Sequence, residues 1–299
     1  MKRLVIVFNG HSSKYARVKS EILDRIKIDW TGYEIDQSKD VDGNAVELAK
    51  FIKFGDRLIS AGGDGTATIC ANAMIISGKS ELELGALPYG NFNDMARCFK
   101  RLSLDDITSA EVKTVDAYPL DVSVDGKHRR YGVCYFTVGL LAESTEIFDH
   151  AKIRFKLQQK KNSISYSLRV LVAWYVRNYH RRFMPRAFKL NGRTIKNATD
   201  YAAMNCTSAA GVLRDRHHYY RGTQFLSATT NLKNIFRLIG FIGWSVIWQV
   251  PGCASEKDVI EFTKPARVEI QGEGEYFWVN VKRNITITKS QQPIKIITR

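Results

Sequence analysis

Apolar and polar positions follow two different rhythms along this chain, and the change of rhythm divides it. Up to about Phe99, short apolar runs of strand length (Leu4–Phe8, Tyr33–Ile35, Arg57–Ala61 and Leu84–Leu87) are separated by stretches with helical spacing. Tyr15, Val18, Ile22 and Ile26 recur at intervals of three and four, and Val46, Ala49, Ile52 and Lys53 close a second such stretch. Residues three and four apart share one face of a helix, whereas an unbroken apolar run of four or five suits a strand covered on both sides. This alternation predicts a parallel sheet with helices on both faces, and it places any ligand outside the carboxyl ends of the strands.

Near Val115-Asp116 the period drops to two. Leu120–Val124 alternates, Asp125-Gly126 supplies a hairpin turn and Tyr131–Val138 returns as one strand. Ala187–Leu190, Asn191-Gly192 and Arg193–Ile195 repeat the figure, and further strands are expected at Tyr201–Cys206, Gln224–Ala228, Arg267–Ile270, Tyr276–Val281 and Ile285–Thr288. Helices interrupt them at about Ile164–Tyr179 and Asn231–Gln249. The expected fold class is an α/β N-terminal domain with a parallel sheet (residues 1–117), then an antiparallel, β-sandwich-like C-terminal domain (residues 118–288). Within the second helix, Leu238–Ile247 with Trp244 and Trp248 is too short to span a bilayer and reads as a core helix in preference to an interfacial one.

Two segments carry chemistry. Ala61-Gly62-Gly63-Asp64-Gly65-Thr66 and Pro88-Tyr89-Gly90-Asn91-Phe92-Asn93-Asp94 each follow a strand-like run and precede a helix-like one. A glycine-rich turn there lets backbone N–H groups face an anion without Cβ interference, and a helix N-terminus adds its positive end. A carboxylate in such a loop repels phosphate unless Mg²⁺ or a reacting hydroxyl sits beside it. Asp64 therefore points to nucleotide-dependent phosphoryl transfer. Asp94 suits either this site or a helix N-cap.

The pair, in this order and at this spacing, resembles the signature of the diacylglycerol kinase and sphingosine kinase family, related to NAD kinases, and the chain looks like its bacterial lipid kinase branch. Leu4–Ser13 resembles the family's first strand and loop, Val138–Glu143 its Gly-x-Gly-Ala segment and Ile270-Gln271-Gly272-Glu273 its late Asp-Gly-Glu. The resemblance implies a lipid kinase using ATP and Mg²⁺. Asp64 would organise the metal and the transferring phosphate, and Glu273 would be the general base. Asn9, Ser12, Gly62, Gly63, Gly65, Thr66, Gly90, Asn91, Asn93 and Asp94 would form the nucleotide site. It also implies that residues 289–299 rejoin the first domain. Family carboxylates are replaced at Ile69, Arg221 and Gln271, which leaves an impaired nucleotide- or lipid-binding relative, or an NAD kinase-like enzyme, as alternatives.

Composition adds a compartment and a partner. With 44% hydrophobic and 25% charged residues the 299-residue chain can bury a sizeable core. Five scattered cysteines without a Cys-x-x-Cys fit reduced thiols in cytoplasm, and the apolar run after Met1-Lys2-Arg3 is too short for a signal-peptide core. Thirteen Lys or Arg residues and no acid lie between His150 and Thr199, which leaves 32 of the 45 basic residues to set against 30 acidic ones elsewhere. The segment Lys152 to Lys196 is therefore expected to dock peripherally on an anionic membrane that holds the lipid substrate, at about 1 kcal/mol per basic group near the surface. Charge alone fits nucleic acid equally; the phosphate-loop pair favours the membrane. A homodimer is compatible with the chain.

Overall fold

The computed structural model describes residues 2–10, 12, 15–90, 93–149, 153, 163–182, 188–209, 213–232, 234–273 and 275–299. The first part runs β1 (Leu4–Phe8), α1 (Tyr15–Arg25), β2 (Trp30–Glu34), α2 (Val41–Phe51), β3 (Arg57–Ala61), α3 (Asp64–Ser77), β4 (Glu83–Ala86), α4 (Asp94–Cys98), α5 (Leu104–Thr108) and β5 (Lys113–Ala117). Its sheet has the order β2-β1-β3-β4-β20-β5, where β20 (Ile294–Thr298) comes from the end of the chain. All neighbours are parallel except β5, which runs against β20. β1 reads as an unbroken apolar run because both faces are covered, and every residue of β1 and β3 is buried, Arg57 and Ser60 of β3 included. The strand order reverses between β1 and β3, which opens a crevice at their carboxyl ends.

The second part contains β6 (Leu120–Val124), β7 (Lys127–Gly132), β8 (Tyr135–Gly139), α6 (Leu140–Asp149), α7 (Ser163–Arg182), β9 (Phe188–Leu190), β10 (Arg193–Ile195), β11 (Asp200–Met204), β12 (Ser208–Ala209) and β13 (Leu213–Arg214). β14 (Phe225–Thr230), α8 (Ile235–Ile247), β15 (Cys253–Ser255), β16 (Lys257–Phe262), β17 (Ala266–Gly272), β18 (Glu275–Val281) and β19 (Asn284–Lys289) complete it. Two six-stranded antiparallel sheets result, β10-β9-β16-β19-β6-β7 and β15-β14-β11-β8-β17-β18, with β12 and β13 paired separately. Alternate residues of their strands, among them Val122, Phe136, Val138, Tyr201, Ile270 and Ile287, meet in one shared core. The fold is thus the α/β domain and β-sandwich that the two rhythms predict.

Four local expectations fail for identifiable reasons. The single strand expected over Tyr131–Val138 is broken at Val133-Cys134, where the chain leaves one sheet of the sandwich for the other. In α2 the buried face is Asn44, Ala45, Leu48 and Ala49, while Val46 faces out and Ile52 lies beyond the helix. The strand expected over Tyr33–Ile35 is β2, displaced to Trp30–Glu34 by its parallel pairing with β1. The α8 helix is not a core helix: Phe236, Ile239, Trp244, Ile247 and Trp248 are exposed.

Candidate functional site

Asp64 is the first residue of α3, whose N-cap is Gly63. The loop after β4 lies against that turn. A Cβ on Gly90 would stand 2.5 Å from Gly63 Cα, so only glycine permits this approach of the two backbones. Asn93 holds the second loop in shape: Gly90 N–H donates to its Oδ1 (2.6 Å), and its Nδ2 donates to the Gly90 carbonyl (2.8 Å). Asn93 itself caps α4 in the left-handed region (φ 55°). Asp94 is therefore the first helical residue and not the N-cap. Its buried carboxylate accepts from Ser208 Oγ on β12 at 2.6 Å.

The third carboxylate comes from the sandwich. Glu273 occupies the turn between β17 and β18 with φ 54°, a left-handed conformation uncommon outside glycine, asparagine and aspartate. It is 1% exposed. Its Oε1 accepts from Cys134 N–H at the β7–β8 break, and its Oε2 is hydrogen-bonded to Thr68 Oγ1 on α3. The same hydroxyl lies 2.9 Å from the Asp64 carbonyl oxygen. It has one proton, so when that proton serves Asp64, Glu273 must supply its own to keep the bond. The start of α3 and the β17–β18 turn are in direct contact, since a Cβ on Gly65 would collide with the Glu275 carboxylate at 2.3 Å. Asn72 of α3 clamps the domains further, accepting from Tyr131 N–H (3.0 Å) and donating to the Tyr131 carbonyl (2.8 Å).

The electrostatics follow from this crowding. Burial, then the Asp94 charge and the Glu273 charge, raise the Asp64 pKa well above the usual carboxylate range, against N–H groups of Met95 and Asp94 that lower it. Met95 N–H lies 3.2 Å from Asp64 Oδ1. Asp64 is ringed by protein yet keeps part of its surface open to solvent. Burial pushes Glu273 up to about 7, opposed by its bonds to Thr68 and to the backbone of Cys134 and Val133.

Asn9 and Ser12 form a turn at the carboxyl end of β1, where Ser12 N–H donates to the Asn9 carbonyl (2.9 Å) and Gln37 Nε2 donates to Asn9 Oδ1 (3.3 Å). They share an end of the sheet with both glycine loops. Gly62 packs against the Thr66 side chain, whose Oγ1 is buried without a hydrogen-bond partner. Such an orphan hydroxyl beside two glycine turns fits an incoming oxygen-rich group. Asn91 lies outside the described residues. Among the described residues no three His, Cys, Asp or Glu side chains are grouped to hold a metal. A hard cation here would take one or two carboxylates and complete its shell with ligand oxygens and water, as Mg²⁺ commonly does. A groove lined by Met74, Gly78, Asp116 and Lys295 lies at the far end of α3 from Asp64.

Residues 3–123, which carry both loops, match the family model of the diacylglycerol kinase catalytic domain. Over these residues the chain is similar to the diacylglycerol kinase family. Three solved structures from Bacillus anthracis str. Sterne align along the whole chain with TM-scores of 0.67. Two are described as candidate diacylglycerol kinases, at 16% and 17% identity and covering 97% and 98% of those chains. The third is described as a diacylglycerol kinase, at 17% identity and 97% coverage. At such identities the likeness is one of fold. No curated protein matches this chain.

The three departures from the kinase family's pattern have different surroundings. Ile69 is buried in the core between the domains. Gln271 faces away from the sandwich core, where Thr137 Oγ1 donates to its Oε1 (3.0 Å) and its Nε2 donates to Tyr135 Oη (3.3 Å). Arg221 is exposed and lies over the Tyr220 ring. The cation among oxygens in this region is Lys289, whose Nζ donates to the carbonyls of Tyr118 and Tyr219 (both 3.0 Å) and to Asn205 Oδ1.

Sequence reasoning missed Thr68, Tyr135 and Ser208. Burial, then the charges of Asp94, Asp64 and Glu273, push the Tyr135 phenol up. No motif marks these residues. Strand alternation could have placed Tyr135 on the face of Gln271, but only the pairing of β8 with β17 brings the two strands together.

Proposed function

We propose that this chain is a lipid kinase that uses ATP and Mg²⁺ to phosphorylate the hydroxyl of a diacylglycerol-like lipid at a membrane surface. The observation that carries this reading is that α3, which Asp64 opens, touches the Glu273 turn through Thr68, while Met95 N–H beside Asp94 reaches Asp64, in a segment that matches the diacylglycerol kinase catalytic domain. Phosphoryl transfer asks a protein mainly for positioning and charge stabilisation. Asp64 and Asp94 are the residues that would hold Mg²⁺, which when bound neutralises phosphate charge. The lipid oxygen bonds to the γ-phosphorus as the bond to the bridging oxygen breaks, and ADP leaves with that electron pair. Glu273 takes the hydroxyl proton; a carboxylate poised near neutrality suits a general base. The segment Lys152 to Lys196, much of it outside the described residues, draws the enzyme to anionic lipid through its charge.

The test incubates the protein with γ-labelled ATP, Mg²⁺ and a mixed lipid extract, and with NAD in a separate arm. Label is expected in a lipid, and Asp64→Asn should cut the rate by about 10²–10³-fold, the scale of losing one preorganised electrostatic contact. Equal labelling by Asp64→Asn would remove Asp64 from catalysis. The acids missing at Ile69, Arg221 and Gln271 favour one second reading, a nucleotide- or lipid-binding relative without turnover. ATP binding without label in any acceptor would favour it, whereas label in NAD would make the chain NAD kinase-like.

A further inference from the structure

The α8 helix has two faces, and the outer one has no protein partner among the described residues. Leu238, Phe241 and Ile242 point inward, packed with Leu140, Tyr175 and Leu232, and Ser245 is buried on the same side. Tyr175 Oη donates to the Leu232 carbonyl at 2.7 Å and ties α7 to the start of this unit. The outer face follows the complementary spacing: Phe236, Ile239, Gly240, Gly243, Trp244 and Ile247. Phe236 is 82% exposed, Ile247 70%, Trp244 55% and Ile239 52%, with Trp248 (56%) beside its neighbour Trp244 at the end of the helix. A Cβ on Gly240 or Gly243 would meet nothing within 4 Å. Burial of the inner face explains the helix; it does not explain an apolar outer face.

Charge identifies the occupant. No Asp or Glu occurs between Asp215 and Glu256, a stretch that contains all of α8 together with Arg216, Arg221, Lys233 and Arg237. The α7 helix, packed against it, lies in the acid-free segment between Asp149 and Asp200, where Arg169 and Arg177 are exposed beside the exposed Val176. An apolar, acid-free helix packed beside a basic, acid-free one complements a surface that is apolar below and anionic above. Tryptophans at a helix end suit the boundary between those layers. A 13-residue helix is about 20 Å long, too short to cross a bilayer and suited to lie in its plane. Leu140 and Leu141, against which α8 packs, directly follow β8, the strand that bears Tyr135.

We infer that the outer face of α8 inserts into the interface of an anionic phospholipid bilayer, with Phe236, Ile239, Trp244, Ile247 and Trp248 below the headgroups. This inference rests on the lipid-kinase reading only for why a bilayer should be met, and its test does not need turnover.

The full chain is floated with vesicles of phosphatidylcholine alone and with phosphatidylserine added, with and without brominated acyl chains. Binding to the anionic vesicles should fall steeply with salt, and brominated lipid should quench tryptophan fluorescence in the bound protein. Ile239→Glu with Ile247→Glu, both at exposed positions, should weaken anionic-vesicle binding at least tenfold while leaving circular dichroism unchanged. Trp244→Phe with Trp248→Phe should keep binding and lose most of the quenching. Asp64→Asn should bind as the parent does, so loss of kinase activity and loss of docking are read separately. Binding without quenching would mean attachment by charge alone and would overturn the inference. So would equal binding by the double glutamate variant, or a change from dimer to monomer in that variant without any change in vesicle binding.

Discussion

At the scale of single residues, Glu273 has opposite consequences for stability and for activity. Its pKa in the folded chain is raised by burial to about 7, against 4.5 for a glutamate carboxyl open to water. Below 4.5 both folded and unfolded chains hold the proton, and the contribution to stability is complete. Between 4.5 and 7 the unfolded chain releases its proton while the folded chain keeps it, so stability falls as pH rises through that window and levels off above it. A general base needs the ionised form, so kcat/KM for lipid phosphorylation should rise with pH to a plateau, with a midpoint near 7. Measuring unfolding and turnover from about pH 4 to pH 9, roughly the span of both limbs, checks the two signs together. Glu273→Gln should flatten the stability limb and abolish turnover; a variant that keeps the parent's rate profile would exclude Glu273 as the base.

Elements bring these residues together through close backbone contact. The turn before α3 and the loop after β4 touch at Gly63 and Gly90, with no room for a side chain between them. Gly90→Ala would put its Cβ 2.5 Å from Gly63 Cα. The neighbour is backbone, so one loop must move, at a cost of about 1–3 kcal/mol, typical of overpacking. The expected result is a lower unfolding midpoint together with a larger loss of ATP affinity, measured by calorimetry. Unchanged ATP affinity in a destabilised protein would separate this contact from the nucleotide site. The same logic applies to α3 as a whole. Its residues from Thr66 to Met74 are all buried, since the helix is wedged between its own sheet and the sandwich. Six of these nine are small or medium apolar side chains, and Thr68 and Asn72 commit their polar groups to hydrogen bonds with the sandwich, so no amphipathic stripe is needed.

Across the whole molecule, one buried network links the domains to the proton acceptor. Lys289, at the end of β19, gathers oxygens from Tyr118, Asn205 and Tyr219, three separate parts of the chain. Burial pulls its pKa down to about 7, while three acceptors call on all three protons of the ammonium. Asn205 Nδ2 in turn donates to the carbonyls of Tyr118 (3.0 Å) and Val133 (2.7 Å), and Asn205 N–H to that of Cys134 (2.8 Å). The Val133-Cys134 corner that faces Glu273 is thereby held from behind. Lys289→Met keeps the aliphatic stem and strands the acceptors, so it should destabilise the fold by roughly 1–3 kcal/mol, the cost of leaving buried polar groups unpaired. Denaturant unfolding measures this, and a variant as stable as the parent would show that water replaces the ammonium there.

Much of the architecture was legible in the chain because local physics dictates it. Doubly covered strands must be apolar throughout, sandwich strands must alternate, and glycine turns must follow strands where backbone approaches backbone, as at Gly63 and Gly90. Asp64 and Glu273 stood out by the loops and the late Gly-Glu pair that carry them. Other features depended on contacts between residues far apart in sequence. Thr68 and Glu273 are 205 positions apart, and Ser208 and Asp94 114; no local pattern encodes such pairs. The break at Val133-Cys134 also escapes periodicity, because a strand that changes sheet stays apolar on both sides of the corner. Nor could the period of α8 tell a core helix from an exposed one, since both of its faces are apolar. Only the packing of one face against Leu140 and Tyr175 determined which side was left for another phase.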